Sequence, residues 1–212
     1  MQHDFLNHAE ILCIKQGIPS NISSGRSASI RGIEKKSQVI NDFIFSEKIL
    51  SYVSQFLNQN VQFVRAILFD KTSQNNWLVA WHQDRTVAVS NKFELKGWNS
   101  WSIKDNTHHV QPPVEVLDEM VTCRIHLDSN TIENGCLKLI PGSHRYGVLS
   151  HDEIQKVSVE SEVINCIGDA GSMLVMRPHI LHASSKMTDT VRRRVLHIEY
   201  TSYSLPNEIK WA

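Results

Sequence analysis

An excess of charge of either sign is absent: 22 lysines and arginines balance 22 aspartates and glutamates. The chain as a whole therefore offers no pull on a polyanion or an anionic membrane surface, and neither nucleic acid nor membrane is an expected partner. The four cysteines, Cys13, Cys123, Cys136 and Cys166, include no C-x-x-C pair, and two of them lie in apolar strand-like runs. That suits buried free thiols and a reducing, cytoplasmic setting better than a disulfide framework. Asp4, Glu10 and Lys15 interrupt the first residues, so a signal peptide's basic start and unbroken apolar core are missing. No apolar run approaches the roughly 18 residues of a membrane span, and there is no internal repeat.

What is present fits one domain spanning the 212 residues. Positions 1 to 60 read as a helical and loop part and 61 to 202 as a β core. Residues 20 to 38, rich in serine and then in charge, read as a loop. From Ser46, a possible N-cap, Ile49, Leu50, Val53, Phe56 and Leu57 recur at helical spacing and predict an amphipathic helix that stops at Asn58 to Asn60. Beyond it the period changes. Short β-branched and aromatic runs (61 to 69, 77 to 82, 86 to 90, 136 to 140, 162 to 167, 172 to 176, 195 to 200) are separated by turn residues. In the clearest strand Val121, Cys123, Ile125 and Leu127 alternate with Thr122, Arg124, His126 and Asp128. Ser150 and Glu153 predict a capping box for one short helix. The order indicates a mainly β sandwich or barrel rather than a parallel α/β sheet.

The stretch Trp81-His82-Gln83-Asp84 carries the chemistry. In a strand, residues i and i+2 project to one face, so His82 and Asp84 can aim an imidazole and a carboxylate at one point. Alone, H-x-D also describes a strand-end histidine bonded to a nearby carboxylate. A second half is available in "RPHILHASSKMTDTVRRRVLHIEY", which supplies His179, His182 and the cluster Arg192-Arg193-Arg194. Two histidines and one carboxylate on one face of a metal, with the remaining positions open, suit a non-haem Fe(II) oxygenase. An arginine beyond the distal histidine can hold the far carboxylate of a 2-oxo-dicarboxylic acid by a bidentate pair.

These pieces resemble the phytanoyl-CoA dioxygenase family of Fe(II)/2-oxoglutarate oxygenases. In order they are "WHQD", "LDSNTIENGCLKLIPGSH", "GDAGSMLVMRPHILHAS" and "RRR" before a last strand, within Val61 to Tyr200. The resemblance implies a double-stranded β-helix, a cupin-like jelly roll of two facing sheets with N-terminal helices packed on one of them. It makes His82, Asp84 and His182 the Fe(II) ligands. His182 is chosen over His179 because Ser184 follows two positions later and Arg193 eleven positions later, where the family holds 2-oxoglutarate. Gln83 matches a position that contacts the co-substrate in some relatives, and Arg65 is a further candidate for that pocket. With O₂ as the oxidant, the implied reaction hydroxylates a small molecule while 2-oxoglutarate is decarboxylated to succinate. Related halogenases carry a small residue where Asp84 stands, which favours hydroxylation here.

Substrate contacts are open at Trp98 and Trp101, where relatives have a loop over the pocket, and at Arg124 and His126 if their strand face looks inward. His108 and His109 are expected to be solvated or packed in a loop, and Arg192 and Arg194 to be surface charge. The expected assembly is a monomer or homodimer. Two other classes remain: a metal-binding jelly-roll module without catalysis, and a zinc hydrolase, which leaves Arg193 without a role.

Overall fold

A computed structural model describes residues 1–20, 29–58, 60–206 and 209–212. Three sheets organise the chain. The largest has the strand order β1 (Ser29–Arg31), β2 (Gln62–Lys71), β12 (Arg193–Thr201), β7 (Met120–His126), β10 (Met173–Met176). Facing it is a second sheet of β3 (Val79–His82), β11 (His182–Ser184), β8 (Leu137–Leu139) and β9 (Ile164–Asn165). All pairs are antiparallel, and the two sheets form the double-stranded β-helix. Between β3 and β7 the chain inserts a third sheet, β4 (Val87–Val89), β6 (Thr107–Gln111) and β5 (Asn99–Lys104).

The outer face of the largest sheet is where the core sits. Helices α1 (His8–Gln16), α2 (Gln38–Ile44) and α3 (Glu47–Val53) lay Ile11, Ile14, Ile40, Ile44, Ile49 and Val53 on Val121, Cys123, Ile125, Leu196, Ile198 and Tyr200. Tyr200 fixes the contact by donating its hydroxyl to the Ile44 carbonyl at 2.8 Å. The apolar face of β7 is therefore its outer face, under helices. Its polar face, with Thr122, Arg124 and His126, is buried toward the second sheet. Helix α4 (Val114–Asp118) leads into β7, and α5 (His151–Glu160) starts from the Ser150–Glu153 capping box read in the sequence. No helix among the described residues is long and apolar enough to cross a membrane.

Several expectations change. The expected loop at 20 to 38 contains β1 and, from Gln38, the start of α2, because Ile30 and Ile33 are buried and β1 finds an edge on β2; residues 21–28 of it lie outside the described residues. Helix α3 ends at Val53, and the Ser46 hydroxyl donates to the Phe43 carbonyl of the preceding turn instead of capping it. The segment around Trp98 and Trp101 and the pair His108-His109 form the β5–β6 hairpin, not an open loop. Cys123, Cys136 and Cys166 are buried free thiols, while Cys13 is exposed.

Candidate metal and co-substrate site

His82 ends β3 and His182 opens β11, and the two are direct partners across the ladder, with ring centroids 4.2 Å apart. Asp84, two residues past His82, is held by its backbone N–H to the Pro178 carbonyl at 3.1 Å. Its Oδ1 lies 3.7 Å from His82 Nε2 and its Oδ2 lies 3.5 Å from His182 Nε2. One donor atom from each of the three falls within 4.8 Å of the others. The tautomers follow from the backbone. His82 Nδ1 is 2.9 Å from the Ala80 carbonyl and His182 Nδ1 is 2.8 Å from the Ile180 carbonyl, and since a carbonyl only accepts, both Nδ1 atoms carry the proton. Each Nε2 is left to face the carboxylate, the ring nitrogen that an imidazole oriented in this way offers to a metal in place of a proton. Burial pushes the Asp84 carboxyl up, but His182, His197 and His82 outweigh it and hold the carboxyl far below its ordinary value. Burial, then His182, keeps His82 neutral. This donor set fits a divalent first-row metal with open positions.

Asp84 also lies within 4.8 Å of His197 and Glu199, yet that second group is already satisfied internally. Arg124 Nη1 donates to His197 Nδ1 at 3.0 Å, so Nε2 carries the proton and donates to Glu199 at 3.1 Å. Glu199 in turn accepts from Arg65 at 2.7 Å. His197 has no lone pair left for a metal.

The triad opens into a cavity of about 110 Å³ lined by Phe69, Trp77, Arg124, Leu137, Ser184 and Arg193. Its far end is cationic. Arg192 and Arg194 are each forked onto an aspartate, Asp70 and Asp128, with Nε to oxygen distances of 2.8 Å in both cases. By strand alternation Arg193 points the other way, is buried, and among the described residues meets only the Asn130 side-chain oxygen, at 3.2 Å. Its Nε has no partner among the described residues. Beside it Lys71, its register partner on β2, is fully buried and donates to Ser184 Oγ at 3.1 Å and to the Ser185 carbonyl at 2.7 Å. Burial, and then the charge of Arg193, lower the Lys71 ammonium to about 8. Burial, then Arg124, brings Arg193 down to about 10, so it stays cationic near neutrality. Gly135, at φ +71°, crosses this end closely: a Cβ there would sit 2.4 Å from the Ser185 carbonyl and 3.2 Å from Lys71 Nζ.

Other candidates fall elsewhere. Gln83 faces away from its neighbours and is spent on the backbone, donating to the carbonyls of Gly147 (2.7 Å) and His179 (2.8 Å) and accepting from Leu149 N–H (2.9 Å). Arg65 is committed to Glu199 and does not line the triad cavity. Trp98 and Trp101 pack on Phe93, away from that cavity, since the hairpin turns them into its own apolar cluster. His126 is buried against Ser172 Oγ at 3.1 Å rather than lining the cavity. His179 lies 3.2 Å from Asp118, outside the triad. Arg192 and Arg194 are ion-paired rather than free surface charge. A larger apolar cavity of about 540 Å³ beside β9 and β10 holds no cluster of metal-ligating groups among the described residues.

The sequence profile of the phytanoyl-CoA dioxygenase family matches residues 21–195, a span that contains the triad and Arg193. The chain belongs to this family. Members of the phytanoyl-CoA dioxygenase family are Fe(II)- and 2-oxoglutarate-dependent oxygenases. A probable alpha-ketoglutarate-dependent hypophosphite dioxygenase of Stutzerimonas stutzeri is 24% identical over 179 residues, covering 77% of this chain and 53% of that protein. An L-proline trans-4-hydroxylase of Streptomyces griseoviridis is 32% identical over 108 residues, covering 39% of this chain and 40% of that protein. The chain thus spans about half the length of the curated relatives it matches. Among solved structures, AviO1 from Streptomyces viridochromogenes Tue57 shares the fold with a TM-score of 0.71 at 21% identity, covering 97% of this chain and 90% of that one.

Proposed function

We propose that this chain is a dioxygenase that hydroxylates a small molecule, with 2-oxoglutarate as co-substrate and Fe(II) held by His82, Asp84 and His182. One observation carries the reading: a single small cavity joins the His-Asp-His cluster to a buried cationic end where Arg193 has no carboxylate partner among the described residues. Iron bound at the triad supplies the redox chemistry that couples oxidation of the substrate by O₂ to decarboxylation of 2-oxoglutarate. The chain's own residues do the rest. Arg193 and Lys71 hold the distal carboxylate, Ser184 and Asn130 orient them, and Phe69, Trp77 and Leu137 keep water from the reacting end. Membership of the family and a curated relative described as alpha-ketoglutarate-dependent support the co-substrate, and one described as a hydroxylase supports the outcome. A hydrolytic zinc site would leave Arg193 and Lys71 without a task.

Adding Fe(II) and then 2-oxoglutarate to metal-free protein without oxygen should produce the visible charge-transfer band of a chelated complex, and His182→Ala should abolish it. A folded wild-type protein that shows no band would remove the proposal.

The Lys71 ammonium adds a pH signature. It is a cation below about 8 and neutral above, so affinity for 2-oxoglutarate should be level below that pH. Above it the affinity should fall by up to about tenfold per pH unit. In Lys71→Met the affinity should be weaker and flat over the same range; an unchanged slope would assign the titration to another group.

A further inference from the structure

The inner row of β12 runs Arg193, Val195, His197, Glu199, and its partners on β2 are Lys71, Phe69, Ile67 and Arg65. The co-substrate end of the site is the Arg193 end. Asp84 lies beside His197 and Glu199, and one ion pair further on, at the opposite end of the row, stands Arg65. Arg65 lines a second cavity, of about 300 Å³, between β1 and β2 on one side and the β5–β6 hairpin on the other. This volume suffices for a small ligand.

The chain is neutral overall, yet this cavity is not. Its side chains include five cations, Arg31, Lys35, Lys36, Arg65 and Lys104, against two carboxylates, Glu34 and Asp105. Asp105 approaches Arg31 only to 3.8 Å. Glu34 is buried, which raises its carboxyl toward the neutral form, and its Oε2 has no partner among the described residues. Arg65 Nε is also buried without an acceptor among the described residues. His109 on β6 lies 3.3 Å from Arg65 Nη1 through Nδ1. Burial and then Arg65, Lys104 and Arg31 push this imidazole down to about 4, so it is neutral, and with Nδ1 accepting, its Nε2 is a donor. The charge of Arg65 is met by Glu199, but its Nε, the His109 Nε2 proton and the cations Arg31, Lys35, Lys36 and Lys104 converge on one space against only the Glu34 and Asp105 side chains.

We propose that this cavity is the substrate site and that it selects a small molecule bearing a carboxylate or phosphate group, held by Arg65, Arg31 and Lys104. The role as substrate site rests on the proposed metal centre; the anion binding does not. Inorganic phosphate is the probe, titrated calorimetrically and optically into anaerobic protein loaded with Fe(II) and 2-oxoglutarate. Phosphate should bind without displacing 2-oxoglutarate and should shift the charge-transfer band. The double variant Arg31→Ala/Lys104→Ala, at side chains outside the core, should weaken binding by about tenfold or more and remove the shift. Absence of saturable binding, or binding that competes with 2-oxoglutarate and disappears in Arg193→Ala but not in the double variant, would overturn the site. Binding that leaves the band unmoved would overturn its role as substrate site. If no band forms in the wild type, the metal reading fails alone, and phosphate titrated into the metal-free protein and the double variant still decides whether the cavity binds anions.

Discussion

Replacing Arg193 by alanine should raise the dissociation constant for 2-oxoglutarate by more than about a hundredfold, roughly 3 kcal/mol, while Fe(II) still binds. The guanidinium is buried, its two neighbours have taken the nearby aspartates, and its one bond among the described residues is to a neutral amide oxygen. A carboxylate arriving there gains a fixed fork of donors out of water's reach. Arg193→Lys keeps the charge and loses the fork, so an intermediate affinity is expected. Anaerobic titration of each variant gives the comparison, and wild-type affinity in Arg193→Ala would move the co-substrate elsewhere.

Glu199→Ala should destabilise the fold by about 3 to 5 kcal/mol, the usual consequence of leaving a buried charge unpaired. Arg65 would lose the carboxylate it is bonded to and His197 the acceptor of its Nε2 proton. Glu199→Gln keeps shape and an acceptor and should cost less. Burial raises this carboxyl, but Arg65 and His197 outweigh it and hold it below 4.5. Its stabilisation is therefore present above that pH and lost as pH falls through the folded-state value. The gap between wild type and Glu199→Gln in urea unfolding should close in acid. A loss under 1 kcal/mol for Glu199→Ala would show that the Arg65–Glu199–His197–Arg124 chain does not stabilise the sheet.

Strand alternation brought His82 and Asp84 forward and left His179, His182 and the three arginines as the available second half; the choice of His182 and Arg193 among them came from the resemblance to the family, whose pattern places a serine two positions and an arginine eleven positions after the distal histidine. Lys71 and Asn130 were not legible: they reach Arg193 only through strand pairing and a loop contact between segments far apart in the chain. His197 and Glu199 did leave a signal, since they continue the alternation that turns Arg192 and Arg194 away from Arg193. The same rule argues against Gln83, which must face opposite to His82 and Asp84. The β5–β6 hairpin escaped because Asn99–Lys104 has no buried position to mark a face. The polar face of β7 could not be oriented from its own residues, because only the helices packed on Val121, Cys123 and Ile125 make the polar side the inner one.

The three consecutive arginines also act as a ruler. Arg192 grips Asp70 and Arg194 grips Asp128, so the strand carrying Arg193 is clamped from outside on two neighbours, β2 and the end of β7. A slip of one residue would exchange the faces of the whole strand, breaking both clamps while turning a cation out of the interior. Any insertion or deletion between Asp189 and Arg193 is therefore tolerable only if the connecting loop absorbs it. The strand keeps its setting, so the pocket proposed for the 2-oxoglutarate carboxylate would meet its ligand with Arg193 already in place.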